Sequence, residues 1–218
     1  MPRHFDLIAF DWDGTLYDST AFITRAIQAA CRDVGVAEPS TQQASYVIGL
    51  GLQDALMHAA PDLPVQRYPE LARAYRRHYL SGRDELVLFD GVLPMLHGLK
   101  GRNHCLAVAT GKSRRGLDEE LAAVELAGLF DGTRTADETA PKPDPTMLLE
   151  LMREFGTVPE RTLMIGDTTH DLQMARSAGV ACIGVSYGAH PHAAFDAFAP
   201  RFVAHSTAEL HDWLIAHG

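Results

Sequence analysis

The stretch IAFDWDGTL, Ile8 to Leu16, decides the fold. A short apolar run leads straight into two aspartates one residue apart, Asp11 and Asp13, followed by Gly14 and Thr15. An apolar run this short, with no polar alternation, reads as a strand covered on both faces, the habit of parallel strands in α/β proteins. Two carboxylates at its end repel each other. Desolvating either one is costly unless a cation or a chemical task compensates.

Three similar runs lie further along: CLAVAT (105–110), TLMIGD (162–167) and ACIGVS (181–186), with a weaker one in RFVAHS (201–206). Helical patterns fall between them, over 115–126, 145–155 and 171–178. Alternating strand and helix predicts an α/β fold with a doubly wound parallel sheet. Residues 18–89 break the alternation and read as mostly helix. Phe22, Ile23, Ala26, Ile27, Ala30 and Val34 share one face, with Asp18 or Ser19 as N-cap and Gly35 as a stop. YPELARAYRRHYL (68–80) is a second amphipathic helix. The expected organisation is an α/β core of residues 1–17 and 90–218 with an inserted helical cap over 18–89.

Composition bounds the function. The chain has 218 residues, 46% hydrophobic and 22% charged, which suits one domain of moderate size with an insertion. No apolar run reaches the ~18 residues of a membrane span, and the N-terminus does not read as a secretory signal. Three scattered cysteines without a CxxC argue against disulfides or zinc and fit a reducing cytoplasm. A net charge of −9 argues against nucleic-acid binding and requires any phosphate site to make its own local positive field. Only three lysines, Lys100, Lys112 and Lys142, stand against 16 arginines.

Asp11, Thr110 and Asp167 each fall at the C-terminal end of an expected parallel strand, where ligands of such sheets bind. Lys142 lies in the Pro-rich loop APKPDP (140–145), and Asp171 follows Asp167 in GDTTHD (166–171). Carboxylates with water suit Mg²⁺, and Mg²⁺ with a lysine suits a phosphoryl group. A carboxylate can attack phosphorus, and a second can serve as general acid and base.

Together, DWDGTL, the ATG of 109–111, Lys142 in APKPDP and GDTTHD resemble, in order, the four motifs of the haloacid dehalogenase superfamily of phosphotransferases. The helical insertion resembles the cap of its phosphoglycolate phosphatase-like branch, and IGLGL (48–52) resembles the substrate-facing cap loop through Gly49, Leu50 and Gly51. The resemblance implies a Rossmann-like core and a Mg²⁺-dependent phosphatase for a small phosphorylated metabolite, such as phosphoglycolate or a sugar phosphate. It implies Asp11 as nucleophile and Asp13 as acid and base. Mg²⁺ would be held by the side chains of Asp11 and Asp167 and the backbone carbonyl of Asp13. Asp171 would act behind them, through water or by orienting Lys142. Thr110 and Gly111 would hold phosphoryl oxygens, and Lys142 would neutralise charge.

Other outcomes stay open at this level. A β-phosphoglucomutase-like phosphotransferase keeps both aspartates. A non-enzymatic phospho-aspartate regulator would need neither Asp13 nor a cap. Lys112 follows Thr110 and Gly111 and reads as a loop cation, with contact to the phosphate as the other reading; His170 reads as a residue behind the metal ligands or at the surface, Trp12 as packing, and His190–His192 as no metal site. Cap arginines 25, 32, 67, 73, 76, 77 and 83 are all candidates to meet a second anionic group on the substrate. The oligomeric state, monomer or homodimer, is not legible.

Overall fold

The computed structural model describes residues 4–82, 86–124 and 126–218, so Arg83 from the set above lies outside the described residues. Six strands form one sheet: β1 (Leu7–Phe10), β2 (Cys105–Thr110), β3 (Gly132–Thr135), β4 (Thr162–Gly166), β5 (Ala181–Val185) and β6 (Phe202–Ala204). Their order is β3-β2-β1-β4-β5-β6, and every neighbouring pair is parallel. The chain builds outward from β1 through β2 to β3, then returns to the other side of β1 for β4, β5 and β6. The order therefore reverses between β1 and β4, where such sheets open a crevice at their C-terminal ends.

The alternation of side chains explains the burial on both faces. Ile8, Phe10, Leu106, Val108, Leu163, Ile165, Ile183 and Val185 pack on one side. That side is covered by α5 (Val92–Gly101), α6 (Arg114–Ala123) and α9 (Thr207–His217). Leu7, Ala9, Ala107, Ala109, Met164 and Cys182 pack on the other, beneath α7 (Thr146–Phe155) and α8 (Thr169–Ser177). Each expected strand is found, shortened by one to three residues in four of the five. β3 is an addition. Its sequence GTRT has no apolar run, because it is a half-exposed edge strand. Gly132 sits there for want of space: a Cβ would stand 2.8 Å from the Phe155 ring.

Between β1 and β2 lie α1 (Thr20–Val34), α2 (Thr41–Tyr46), α3 (Leu52–Ala59) and α4 (Tyr68–Gly82). They share a hydrophobic cluster of their own that includes Ile23, Ile27, Val34, Leu56 and Leu71. Gly35 ends α1 in the left-handed conformation, as expected. Ser19 occupies the N-cap position of α1 without capping it. Its hydroxyl turns instead to the Asp13 carboxylate, 2.7 Å away. The two connections to these helices run side by side: Asp18 N–H donates to Val87 O and Phe89 N–H to Leu16 O. No helix among the described residues is long and apolar enough to cross a membrane.

Candidate active site

The turn after β1 brings Asp11 to the point where strand order reverses. β4 delivers Asp167 beside it, and the first turn of α8 adds Asp171. One carboxylate oxygen from each lies within 4.8 Å of the other two, and all three residues are buried. The loop before α7 inserts Lys142 into this group. Its Nζ stands 2.5 Å from Asp11 Oδ1 and 2.7 Å from Asp171 Oδ1, with the side chain wholly buried. Burial disfavours the Lys142 ammonium, but Asp11 and Asp171 outweigh it and hold its pKa far above the ordinary lysine value. The lysine is not a solvated loop residue.

Three carboxylates around one ammonium leave two negative charges uncompensated. Burial pushes Asp11 well above the usual carboxylate range; Lys142 opposes this, while Asp171 and Asp167 add to it. Burial, with Asp171 next, pushes Asp167 up to about 7, against an ordinary 3.8. Asp167 is nevertheless fixed, accepting from Thr15 Oγ1 at 3.0 Å and Ala189 N at 2.6 Å. Gly14 and Gly188 make room for it. A Cβ on either would stand 2.2 Å from Asp167 Oδ2, and Gly14 also has a φ of +84°. Asp11 Oδ2 is buried without a hydrogen-bond partner. An all-oxygen donor set with an excess of two negative charges and an unpartnered carboxylate oxygen fits Mg²⁺.

Asp13 does not join this cluster through its side chain. It faces the helices that follow β1, accepting from Ser19 Oγ at 2.7 Å and from Lys112 Nζ at 3.2 Å. Lys112 also pairs with Glu120 at 2.8 Å, and its side chain is only 11% exposed, so the expectation of a loop cation is wrong. Burial disfavours its charge, but Asp13, Tyr79 and Glu120 together hold its pKa well above the ordinary value. Trp12 packs as expected, wholly buried, and adds an indole N–H donated to Glu120 Oε2 at 2.6 Å. Glu120 escaped notice in the sequence, although a signal was there: Leu117, Glu120 and Leu121 share the buried stripe of α6.

Thr110 is buried at the end of β2, and its Oγ1 accepts from the Lys112 backbone N–H at 3.2 Å. The Gly49–Gly51 loop lies directly over the Thr110–Gly111 turn. A Cβ on Gly111 would come 2.4 Å from Leu50 O and 2.5 Å from Gly49 O. Gly49 approaches Thr168, and Gly51 approaches Ala136 and Pro141. Two histidines hold the start of this loop: His170 and His190 both donate Nε2–H to Tyr46 O at 2.9 Å. Of the two places open to His170, the structure gives the buried one behind the acidic turn, and burial lowers the pKa of both histidines.

Gly111 has no positive φ, so alanine fits its backbone but not the space under the loop. Gly111→Ala is expected to keep the fold and lower kcat/KM by about 10²-fold, the scale of a misplaced site. Steady-state kinetics alongside a thermal melt check this; an unchanged rate would show that the loop contact is idle.

A parallel α/β sheet with this cluster of acids and a buried lysine at its switch point suits phosphoryl chemistry. Residues 8–185 match the model of the haloacid dehalogenase-like hydrolases, and the chain belongs to that family. It is 36% identical over 211 residues to the probable phosphatase IndB of Dickeya dadantii, covering 94% of this chain and 91% of that one. It is 34% identical to a 5′-nucleotidase of Pseudomonas aeruginosa, covering 96% of each. A crystal structure of a predicted phosphoglycolate phosphatase from Haemophilus somnus superposes with a TM-score of 0.83 at 27% identity, covering 97% of this chain and 99% of the other. The resemblance to the phosphoglycolate phosphatase-like branch holds, and the chain is a phosphoric monoester hydrolase.

Proposed function

We infer that the protein is a Mg²⁺-dependent, cytoplasmic phosphatase of a small phosphorylated metabolite, working through an aspartyl-phosphate. The observation that carries this is the buried group of Asp11, Asp167, Asp171 and Lys142, with Asp11 Oδ2 lacking a partner. Asp11 attacks phosphorus and forms an acyl phosphate while the leaving oxygen takes a proton from Asp13. Asp13 then removes a proton from the water that attacks the same phosphorus, releasing inorganic phosphate and restoring Asp11. Lys142 offsets charge on the phosphoryl oxygens and on Asp11. The Thr110 hydroxyl and Gly111 N–H hold those oxygens. Asp11, Asp167 and the Asp13 carbonyl would hold Mg²⁺, which supplies positive charge to the phosphoryl group. Residues 18–89 serve as a cap over the core of 1–17 and 90–218, with Gly49, Leu50 and Gly51 facing the substrate. The relatives include a phosphatase and a 5′-nucleotidase, which supports a phosphate monoester without choosing one.

Phosphate release from a panel of metabolite esters and from p-nitrophenyl phosphate, with Mg²⁺ and with chelator, tests this. Turnover is expected with the metal and is lost with chelator; no release from any ester refutes it.

The raised Asp167 adds a stability readout. A carboxyl whose folded pKa is about 7 against an ordinary 3.8 favours the folded state when protonated. That contribution is complete below the unfolded value and is lost as pH rises through about 7. Mg²⁺ prefers the ionised carboxylate and so has more to offset above that pH. Saturating Mg²⁺ is expected to raise the Tm more above this range than below it. An equal increment in scanning calorimetry would place the ion elsewhere.

A further inference from the structure

We propose that Glu120, acting through Lys112, sets the site against leaving groups that carry a negative charge, so that the preferred substrates are phosphate monoesters of uncharged, hydroxyl-bearing alcohols. This rests on the phosphatase reading and names the substrate class of the same site.

The leaving oxygen must come within hydrogen-bond reach of Asp13, so the rest of the leaving group lies among the neighbours of that carboxylate. Those neighbours include one cation, Lys112, and one carboxyl group, Glu120, paired with each other. Lys112 Nζ is shared between Asp13 at 3.2 Å and Glu120 at 2.8 Å, and it also donates to Tyr79 OH at 3.0 Å. Glu120 cannot swing away to release the ammonium. Trp12 Nε1 and Tyr79 OH each donate to it at 2.6 Å, and its side chain is 4% exposed. Burial pushes the Glu120 carboxyl up from its ordinary value, while Lys112 beside it and the hydrogen bonds from Lys112 and Tyr79 oppose this; the three donors pointing at it commit Glu120 to Lys112 as its partner. Asp13 brings the proton that it delivers and Lys112 is already committed to Glu120, so a carboxylate arriving on a substrate finds no free cation in a site where water does not screen it.

No other cation of the described cap compensates. Arg25, Arg32, Arg73, Arg76 and Arg77 stand exposed on the helices. Arg67 is taken up by Glu70 and by Val34 O. What the cap does offer is aromatic and hydroxylic: Tyr79 stacks on Tyr75 at 5.8 Å and meets the edge of Phe22 at 5.6 Å. Such a wall suits an uncharged organic group that can stack and hydrogen-bond. The expectation that a cap arginine meets a second anionic group therefore finds no support among the described residues.

The test compares two nearly isosteric esters, 2-phosphoglycolate and 2-hydroxyethyl phosphate, on the intact protein with Mg²⁺. The wild type is expected to prefer hydroxyethyl phosphate by about tenfold or more in kcat/KM. Glu120→Gln keeps an acceptor for Trp12 or Tyr79 and removes the charge. It is expected to shift the ratio toward phosphoglycolate by about fivefold or more. A purely structural role would lower both esters together and leave the ratio in place, and that result overturns the proposal. So does a wild type that prefers phosphoglycolate, which settles the matter even where the variant does not fold. If p-nitrophenyl phosphate is split while phosphoglycolate is favoured, only the substrate class falls. If no ester is split, the phosphatase reading falls and the proposal with it.

Discussion

Asp11→Asn is expected to reduce phosphate release by roughly 10⁴-fold or more, the scale of removing a covalent nucleophile. Asn cannot substitute: its amide oxygen carries no charge and is a poor nucleophile toward phosphorus. The fold has little reason to suffer. Asp11 lies in a turn after β1 whose backbone N–H is held by Ile165 O at 2.8 Å, and asparagine keeps an acceptor for Lys142. One of three crowded carboxylates is removed from a buried site, which relieves repulsion. The metal-free variant is therefore expected to melt no lower than the parent. Rapid-quench trapping of a hydroxylamine-sensitive phospho-protein gives a second readout, present in the parent and absent in the variant. Near-native turnover by Asp11→Asn would end the nucleophile assignment.

Much of this was legible from the chain because parallel strands announce themselves as short apolar runs. Once the runs were placed, Asp11, Thr110 and Asp167 were forced to one edge of the sheet by topology alone. Lys142 came by motif order, since nothing in a proline-flanked loop says that its lysine is wholly buried. The failures have physical causes. β3 is an edge strand whose Thr and Arg need no apolar pattern. α2 and α3 are only 6 and 8 residues long, too short to show a periodic face between Pro39 and Pro61. Ser19 looked like a helix cap because serine at that position usually is one, and only tertiary contact shows its hydroxyl spent on Asp13. Lys112 and Glu120 are separated by seven residues of loop and helix. Their pairing depends on how α6 packs under Trp12, which is a property of the fold rather than of any local stretch.

Lys142→Met is the sharper test of the electrostatics. The methionine chain is of similar length and apolar, so the cavity stays filled while the charge disappears. Lys142 contributes nothing as a solvated group; its whole effect is to sit between Asp11 and Asp171. Removing one partner of a buried ion pair leaves the others uncompensated, at a cost of about 3–5 kcal/mol. In a chain of this size that lowers the Tm by roughly 10 °C. Loss of positive charge beside the reacting phosphoryl group costs a further 10²–10³-fold or so in kcat, as for other preorganised electrostatic contacts. The sign of the pH response follows from the carboxylates. The raised lysine pKa means that the wild-type ammonium stays charged across neutral pH, and its contribution is lost only as pH rises through that raised value. The variant has no ammonium to oppose the repulsion among Asp11, Asp167 and Asp171, so its deficit shrinks as pH falls and the cluster takes up a proton. Mg²⁺ restores part of the missing charge, and its stabilising increment should be larger in the variant than in the parent. Melts at two pH values, with and without Mg²⁺, separate this from simple loss of packing, which responds to neither proton nor metal.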